Sequence, residues 1–198
     1  MKKSNIKIIS SLLCCIPVSG FAETDYISVP YEEWKVLDDA YTKNNQPAEY
    51  FKKIINIERE KENPRKDYEK FGGMYDIISF FYPDLYDQYV KDNGLVYNEK
   101  FDLETVKEVL KGLLKLDISL DEQGWFSNMK SIGESLGFSS DRKAYKANPE
   151  NYKGMIGDVA EILRITLTGR KNSPNLYYVM QILGKEECDR RIDKVLNS

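Results

Sequence analysis

The stretch Gly157-Asp158-Val159-Ala160-Glu161-Ile162-Leu163-Arg164-Ile165-Thr166-Leu167-Thr168-Gly169-Arg170-Lys171-Asn172-Ser173-Pro174-Asn175-Leu176-Tyr177 decides the reading of this chain. Val159, Ile162 and Leu163 recur at the 3–4-residue spacing of an amphipathic helix, which predicts a helix from about Met155 towards Arg164. Ile165 to Thr168 carries strand propensity by composition, but it is short and sits between helical patterns, so it reads as a helix end or an extended turn. Thr168 to Pro174 is a polar loop. Leu176, Tyr177, Val179, Met180, Ile182 and Leu183 then form a short helix, Gly184 breaks it, and Lys185 to Leu196 makes the last one.

Working outward, the rest also reads as helix. Asp102 is placed to cap a helix carrying Leu103, Val106, Val109, Leu110, Leu113 and Leu114. A further helix is predicted from Trp125 to Leu136, closed by Gly137. Residues 138–154 read as irregular and mildly basic. Asn93-Gly94 is a turn, and the aromatic run Met74 to Tyr82, bounded by Pro83, reads as core. Nearer the start, Tyr31, Trp34, Val36 and Leu37, and then Tyr50, Phe51, Ile54, Ile55 and Ile57, recur at helical spacing. The expectation is an all-α protein of two small helical subdomains, 23–92 and 93–198, split near 93–101, behind an N-terminal segment 1–22.

That first segment has two readings. Lys2, Lys3 and Lys7, an apolar run from Ile8 to Phe21, and Gly20-Phe21-Ala22 resemble a secretory signal, too short and Ser-rich for a membrane span. A marginal amphipathic helix or an aberrant chain start is the other.

Composition narrows function by exclusion. The 198 residues contain no histidine, so Ser-His-Asp and Cys-His catalysis, imidazole zinc sites and histidine pH switches are out. Three cysteines, two of them adjacent, make neither a disulfide framework nor a CxxC site and read as idle thiols in a reducing compartment. No GxxxxGK[ST] or GxGxxG loop is present. The chain is mildly acidic, with a net charge of −3, yet Asp141 to Lys171 holds seven basic residues against four acidic ones. That excess, with Tyr145, Tyr152, Tyr177 and Tyr178 nearby, suits a nucleic-acid backbone with unstacked bases, or else a solvated charged face. No constellation makes an active site, which favours a binding module over an enzyme.

The decisive stretch resembles bacterial glutamyl-tRNA synthetases, whose pattern is LR-hydrophobic-x-LTG, a short polar gap, then [ST]P-x-L and an aromatic. The resemblance continues through Met180-Gln181-Ile182-Leu183-Gly184-Lys185-Glu186-Glu187 to Arg191-Ile192. Lys143 to Gly154 looks like an insertion of some members, and Asn63-Pro64-Arg65-Lys66-Asp67 matches a PRxD element. It covers residues 50–197. It implies the anticodon-binding helical cage and a function in recognising glutamate tRNA. Arg65, Arg164, Ser173, Pro174 and Leu176 are the implied anticodon contacts, with Leu176 packing against a base. A first-turn role for Pro174 and a core role for Leu176 are the alternatives. Lys143, Lys146, Arg170 and Lys171 are the expected tRNA-backbone contacts.

The family's catalytic half carries HIGH and KMSKS signatures that grip ATP. A chain without histidine has no HIGH, and no Lys-x-Ser-Lys stretch occurs. The expectation is therefore an anticodon-binding part that is inactive alone: a fragment, a truncated product or the partner of a separate catalytic synthetase domain. ATP and magnesium are expected only for that missing domain. The expected setting is the cytoplasm, with neither DNA nor membrane as partner. An exported helical interaction protein is the alternative if 1–22 is a signal.

Overall fold

The computed structural model describes residues 78–198, together with residues 50, 53, 54 and 56–58. The chain divides into two compact units, Met1–Tyr75 and Asp76–Ser198. The division falls ahead of the expected split near 93–101. In the first unit Ile54 is buried, and its carbonyl accepts a hydrogen bond from the Ile57 amide at 3.3 Å. The expectations for 1–22, for the helices before residue 50 and for Arg65 lie outside the described residues.

The second unit is a helical bundle. A 3-10 turn at Ser79–Phe81 leads into α1 (Pro83–Asn93), followed by α2 (Leu103–Leu113) and α3 (Glu122–Ser135). The short α4 (Arg142–Ala147), α5 (Ile156–Thr168) and α6 (Leu176–Leu196) complete it. The sequence pattern alone does not separate α1 from the aromatic run. Pro83, expected as a boundary, is its first residue, where a missing N–H costs nothing. Start signals elsewhere act as expected of their residue type: Asp102, Asp121 and Asp141 each accept backbone N–H groups at the openings of α2, α3 and α4.

The segment 138–154 is more ordered than expected. β1 (Phe138–Ser139) pairs in parallel with β2 (Gly154–Met155), Phe138 opposite Gly154, and α4 packs over the pair. The strands are only two residues long, so no period-2 pattern exists to reveal them.

Helix α5 runs to Thr168, four residues past the expected end. Ile165 to Thr168 are all buried, and tertiary context overrides their strand propensity. The two threonine hydroxyls bond backward inside the helix, Thr166 to the Ile162 carbonyl at 2.9 Å and Thr168 to the Arg164 carbonyl at 2.8 Å. Gly169 ends the helix at φ 71°, in the left-handed region where a Cβ is costly. Gly184, at φ 77° and ψ 162°, kinks α6 where the sequence placed a break.

One core joins these helices. Val106, Leu110 and Leu113 of α2, Trp125 and Met129 of α3, and Leu163 and Leu167 of α5 meet Met180, Cys188 and Ile192 of α6. Gly133 lets α3 close on α5, since a Cβ there would stand 2.6 Å from the Ile156 side chain. Burial pushes the Cys188 thiol up to about 12, so this cysteine is a small core residue, not a nucleophile. No helix among the described residues is long and apolar enough to cross a membrane.

Candidate nucleic-acid interface

The loop 169–175 connects α5 to α6, and the expected contacts Arg164, Ser173, Pro174 and Leu176 all gather around it. Arg164, on the last turns of α5, donates from Nε to Ser173 Oγ at 3.1 Å. The Ser173 hydroxyl in turn donates to the Pro174 carbonyl at 2.9 Å. A charged fork and a hydroxyl thus share one half-buried place on the loop, a pairing suited to base edges and phosphate oxygens.

Pro174 and Leu176 stand differently. Pro174 is buried and precedes the N-cap Asn175, so it stiffens the loop's exit rather than opening the helix. Leu176 is 3% exposed and belongs to the core. The expected base-packing role of Leu176 meets a side chain already spent on the core; the alternative core reading matches its position.

Sequence reasoning missed the loop's main support, Glu122 in the first turn of α3. Its carboxylate accepts Asn175 Nδ2 at 2.6 Å and the Tyr178 hydroxyl at 3.2 Å. Tyr177 donates to the Leu120 carbonyl at 3.2 Å and packs edge-on against Trp125, with ring centroids 5.9 Å apart. The only sequence signal for this was the Asp121 cap, which marks a helix start but not what the next residue faces. On the same end of α3 two apolar side chains remain open, Leu120 at 37% and Phe126 at 52% exposure.

The loop's entrance is held from the other side. Arg170 lies over the Tyr89 ring, 5.1 Å from its centroid, and donates to Ser79 Oγ at 3.3 Å. Lys171 is exposed.

The basic residues of the 141–171 stretch do not gather in one place. Lys143 and Lys146 lie on α4, which packs beside β1 and β2 at the N-terminal end of α5. Arg170 and Lys171 follow its C-terminal end. Thirteen residues of helix separate them, about 20 Å at 1.5 Å per residue. Both lysines of α4 are exposed, whereas Lys153 is paired with Glu108 at 2.6 Å. The excess read along the sequence is thus two clusters at opposite ends of one helix.

Residues 46–196 match a family described as anticodon binding domain. The chain is 38% identical over 146 residues to a protein of Clostridium perfringens (strain SM101) named glutamate--tRNA ligase, covering 73% of this chain and 26% of the relative. It is 40% identical over 154 residues to the protein of that name from Clostridium beijerinckii, covering 74% and 27%. For Acetivibrio thermocellus the identity is 34% over 145 residues, covering 73% and 26%. The chain spans about a quarter of the length of these curated relatives.

Proposed function

The chain belongs to the anticodon binding domain family, and from that membership we propose that its 169–175 loop receives the unpaired anticodon loop of a tRNA, with glutamate tRNA as the ligand. The observation that carries this reading is the Arg164–Ser173 pair at 3.1 Å, on a loop held from both sides. Anticodon bases are unpaired, so their edges and faces are open to side chains in a way that helical RNA forbids. Arg164 and Ser173 supply the donors, Pro174 and Leu176 hold the backbone beneath them, and Lys171 meets the phosphates. Arg65, in the PRxD element, reads a further base through the two parallel donors of its guanidinium.

The proposal places this recognition in the service of glutamyl-tRNA formation in the cytoplasm, with a separate catalytic synthetase domain supplying the chemistry. ATP and magnesium belong to that domain. Among the described residues no three His, Cys, Asp or Glu side chains group as a metal site.

The test is binding of the full chain to anticodon stem-loop RNAs from glutamate and glutamine tRNAs, followed by anisotropy. The glutamate loop is expected to bind tighter by about 1–3 kcal/mol per base contact, roughly 5- to 150-fold. Arg65→Gln and Arg164→Gln should each reduce that ratio. Equal affinity for both loops, or for a stem whose loop is closed by pairing, rejects the reading.

A further inference from the structure

The C-terminal turn of α5 is closed by side chains from elsewhere in the chain. A helix leaves its last four carbonyls without intrahelical partners. The Gly169 amide takes the Ile165 carbonyl at 2.8 Å. The next two carbonyls go to buried side chains: the Tyr86 hydroxyl donates to Thr166, and Arg191 Nη1 donates to Leu167.

These two donors support each other. Arg191 is 0% exposed, and its guanidinium lies over the Tyr86 ring, 3.7 Å from the centroid. The same Nη1 also reaches the Phe80 carbonyl at 2.8 Å, and Nε donates to Glu187 at 2.6 Å. The guanidinium thus has two carbonyls, a carboxylate and a ring face around it, while its Nη2 is buried without a hydrogen-bond partner. Its permanent charge at a helix C-terminus also suits the helix dipole. One turn on from Tyr86, Tyr89 fills the space beside Gly169, where a Cβ would stand 2.7 Å from the ring, and carries Arg170 on its face. Four points on the way into the loop, Thr166, Leu167, Gly169 and Arg170, therefore rest on α1, α6 or the Ser79–Phe81 turn.

We propose that Tyr86 and Arg191 are positioning residues for RNA recognition: together they clamp the last turn of α5 and so fix where the 169–175 loop presents Arg164 and Ser173. The inference rests on the reading of that loop as the RNA site. Neither residue touches the RNA. Their effect is to hold the loop in its binding geometry beforehand, so that ordering it is not charged against each binding event.

The experiment uses the full chain with Tyr86→Phe, which removes one hydroxyl and keeps the ring, and Arg191→Lys, which keeps charge and loses the fork. Val109→Ala, a fully buried core change on α2, serves as the control for stability alone. Two readouts are taken. The first is affinity per folded molecule for the glutamate and glutamine anticodon stem-loops. The second is amide hydrogen exchange of residues 168–175, measured without RNA. Tyr86→Phe is expected to weaken the glutamate loop roughly five- to tenfold, the scale of one buried hydrogen bond. It should also narrow discrimination, leave the salt slope unchanged and speed exchange in the loop. Val109→Ala should lower stability and change neither affinity per folded molecule nor loop exchange. Loop exchange and affinity in Tyr86→Phe no different from Val109→Ala overturn the clamp. If Arg191→Lys does not fold, Tyr86→Phe decides alone. A wild-type chain that fails to distinguish the two stem-loops overturns the functional reading instead, and the exchange data then show separately whether the clamp holds the loop.

Discussion

The two ends of α5 are built by different means. At the N-terminal end Asp158 accepts the Met155 amide at 2.7 Å and the Lys100 ammonium at 2.6 Å, and Lys153 pairs with Glu108. The Asp158–Met155 bond is a part-buried helix cap, but the two ion pairs use exposed lysines and are screened by salt and worth little each. At the C-terminal end the donors are Tyr86 and Arg191, both buried, and both aimed at backbone carbonyls. A buried polar group left without its partner carries its full desolvation cost, so losing either donor is costly. Exposed lysines on a short helix suit non-specific attraction to phosphate; a loop fixed at both ends suits reading particular bases.

The sharpest break in that contrast comes from removing Arg191. Arg191→Ala strands the Phe80 and Leu167 carbonyls and leaves Glu187 with Arg190 alone, and should cost about 3–5 kcal/mol of folding stability in urea unfolding. A stability change below about 1 kcal/mol, the scale of an exposed ion pair, would mean the buried end is no stiffer than the exposed one.

Leu176→Ala comes next. A core leucine should cost about 2–5 kcal/mol of stability, with RNA affinity per folded molecule unchanged. Nearly intact stability with weakened RNA binding would instead return Leu176 to the base-packing role.

Acid separates the clamp's rim from the rest of the bundle. Asp87 accepts Arg190 at 2.9 Å and Lys194 at 2.7 Å. Burial works against its charge, but these hydrogen bonds outweigh it and hold the carboxyl below its ordinary 3.8. Glu187 is likewise held below 4.5, with burial outweighed by hydrogen bonds from Arg190 and by the Arg191 charge. A folded-state value below the unfolded one gives stability that is complete above the unfolded value and lost as pH falls through the folded one. Stability should therefore fall as pH drops below about 4. Asp87→Asn should lessen that fall, as read from melting temperature against pH.

The smallest effect belongs to α4. Replacing Lys143 and Lys146 together with alanine should weaken glutamate and glutamine stem-loops equally. It should flatten the salt dependence by roughly 0.7 for each phosphate no longer neutralised, leaving discrimination intact. Changed discrimination would mean that the far end of α5 also reads sequence.

Local signals were legible wherever a single residue type has one physical use. Asp102 before an apolar helical period, Gly184 inside one and Gly137 after one each had a stated consequence that the backbone follows. The Arg164–Ser173 meeting was also within reach, because both residues fall in one family pattern. Glu122 was not, since an acid in the first turn of a helix usually faces water, and only the fold brings Asn175 and Tyr178 to it. The separation of the basic residues was hidden for the same reason: a count along the chain treats residues 143 and 170 as one stretch, while a helix between them holds them apart.

By itself the sequence determined that this chain is helical, where its helices cap and kink, which chemistry a chain without histidine forgoes, and which family motif surrounds the loop. Those properties depend on periodicity, backbone preference and residue type over a few neighbouring positions. Only the tertiary structure decided that Leu176 faces the core, that the basic residues form two clusters, and that the last turn of α5 meets Tyr86 and Arg191 while Asn175 of the loop meets Glu122. Such contacts join residues from 24 to 80 positions apart, and a contact of that span leaves no trace in either residue's local pattern because its energy exists only once the helices have packed.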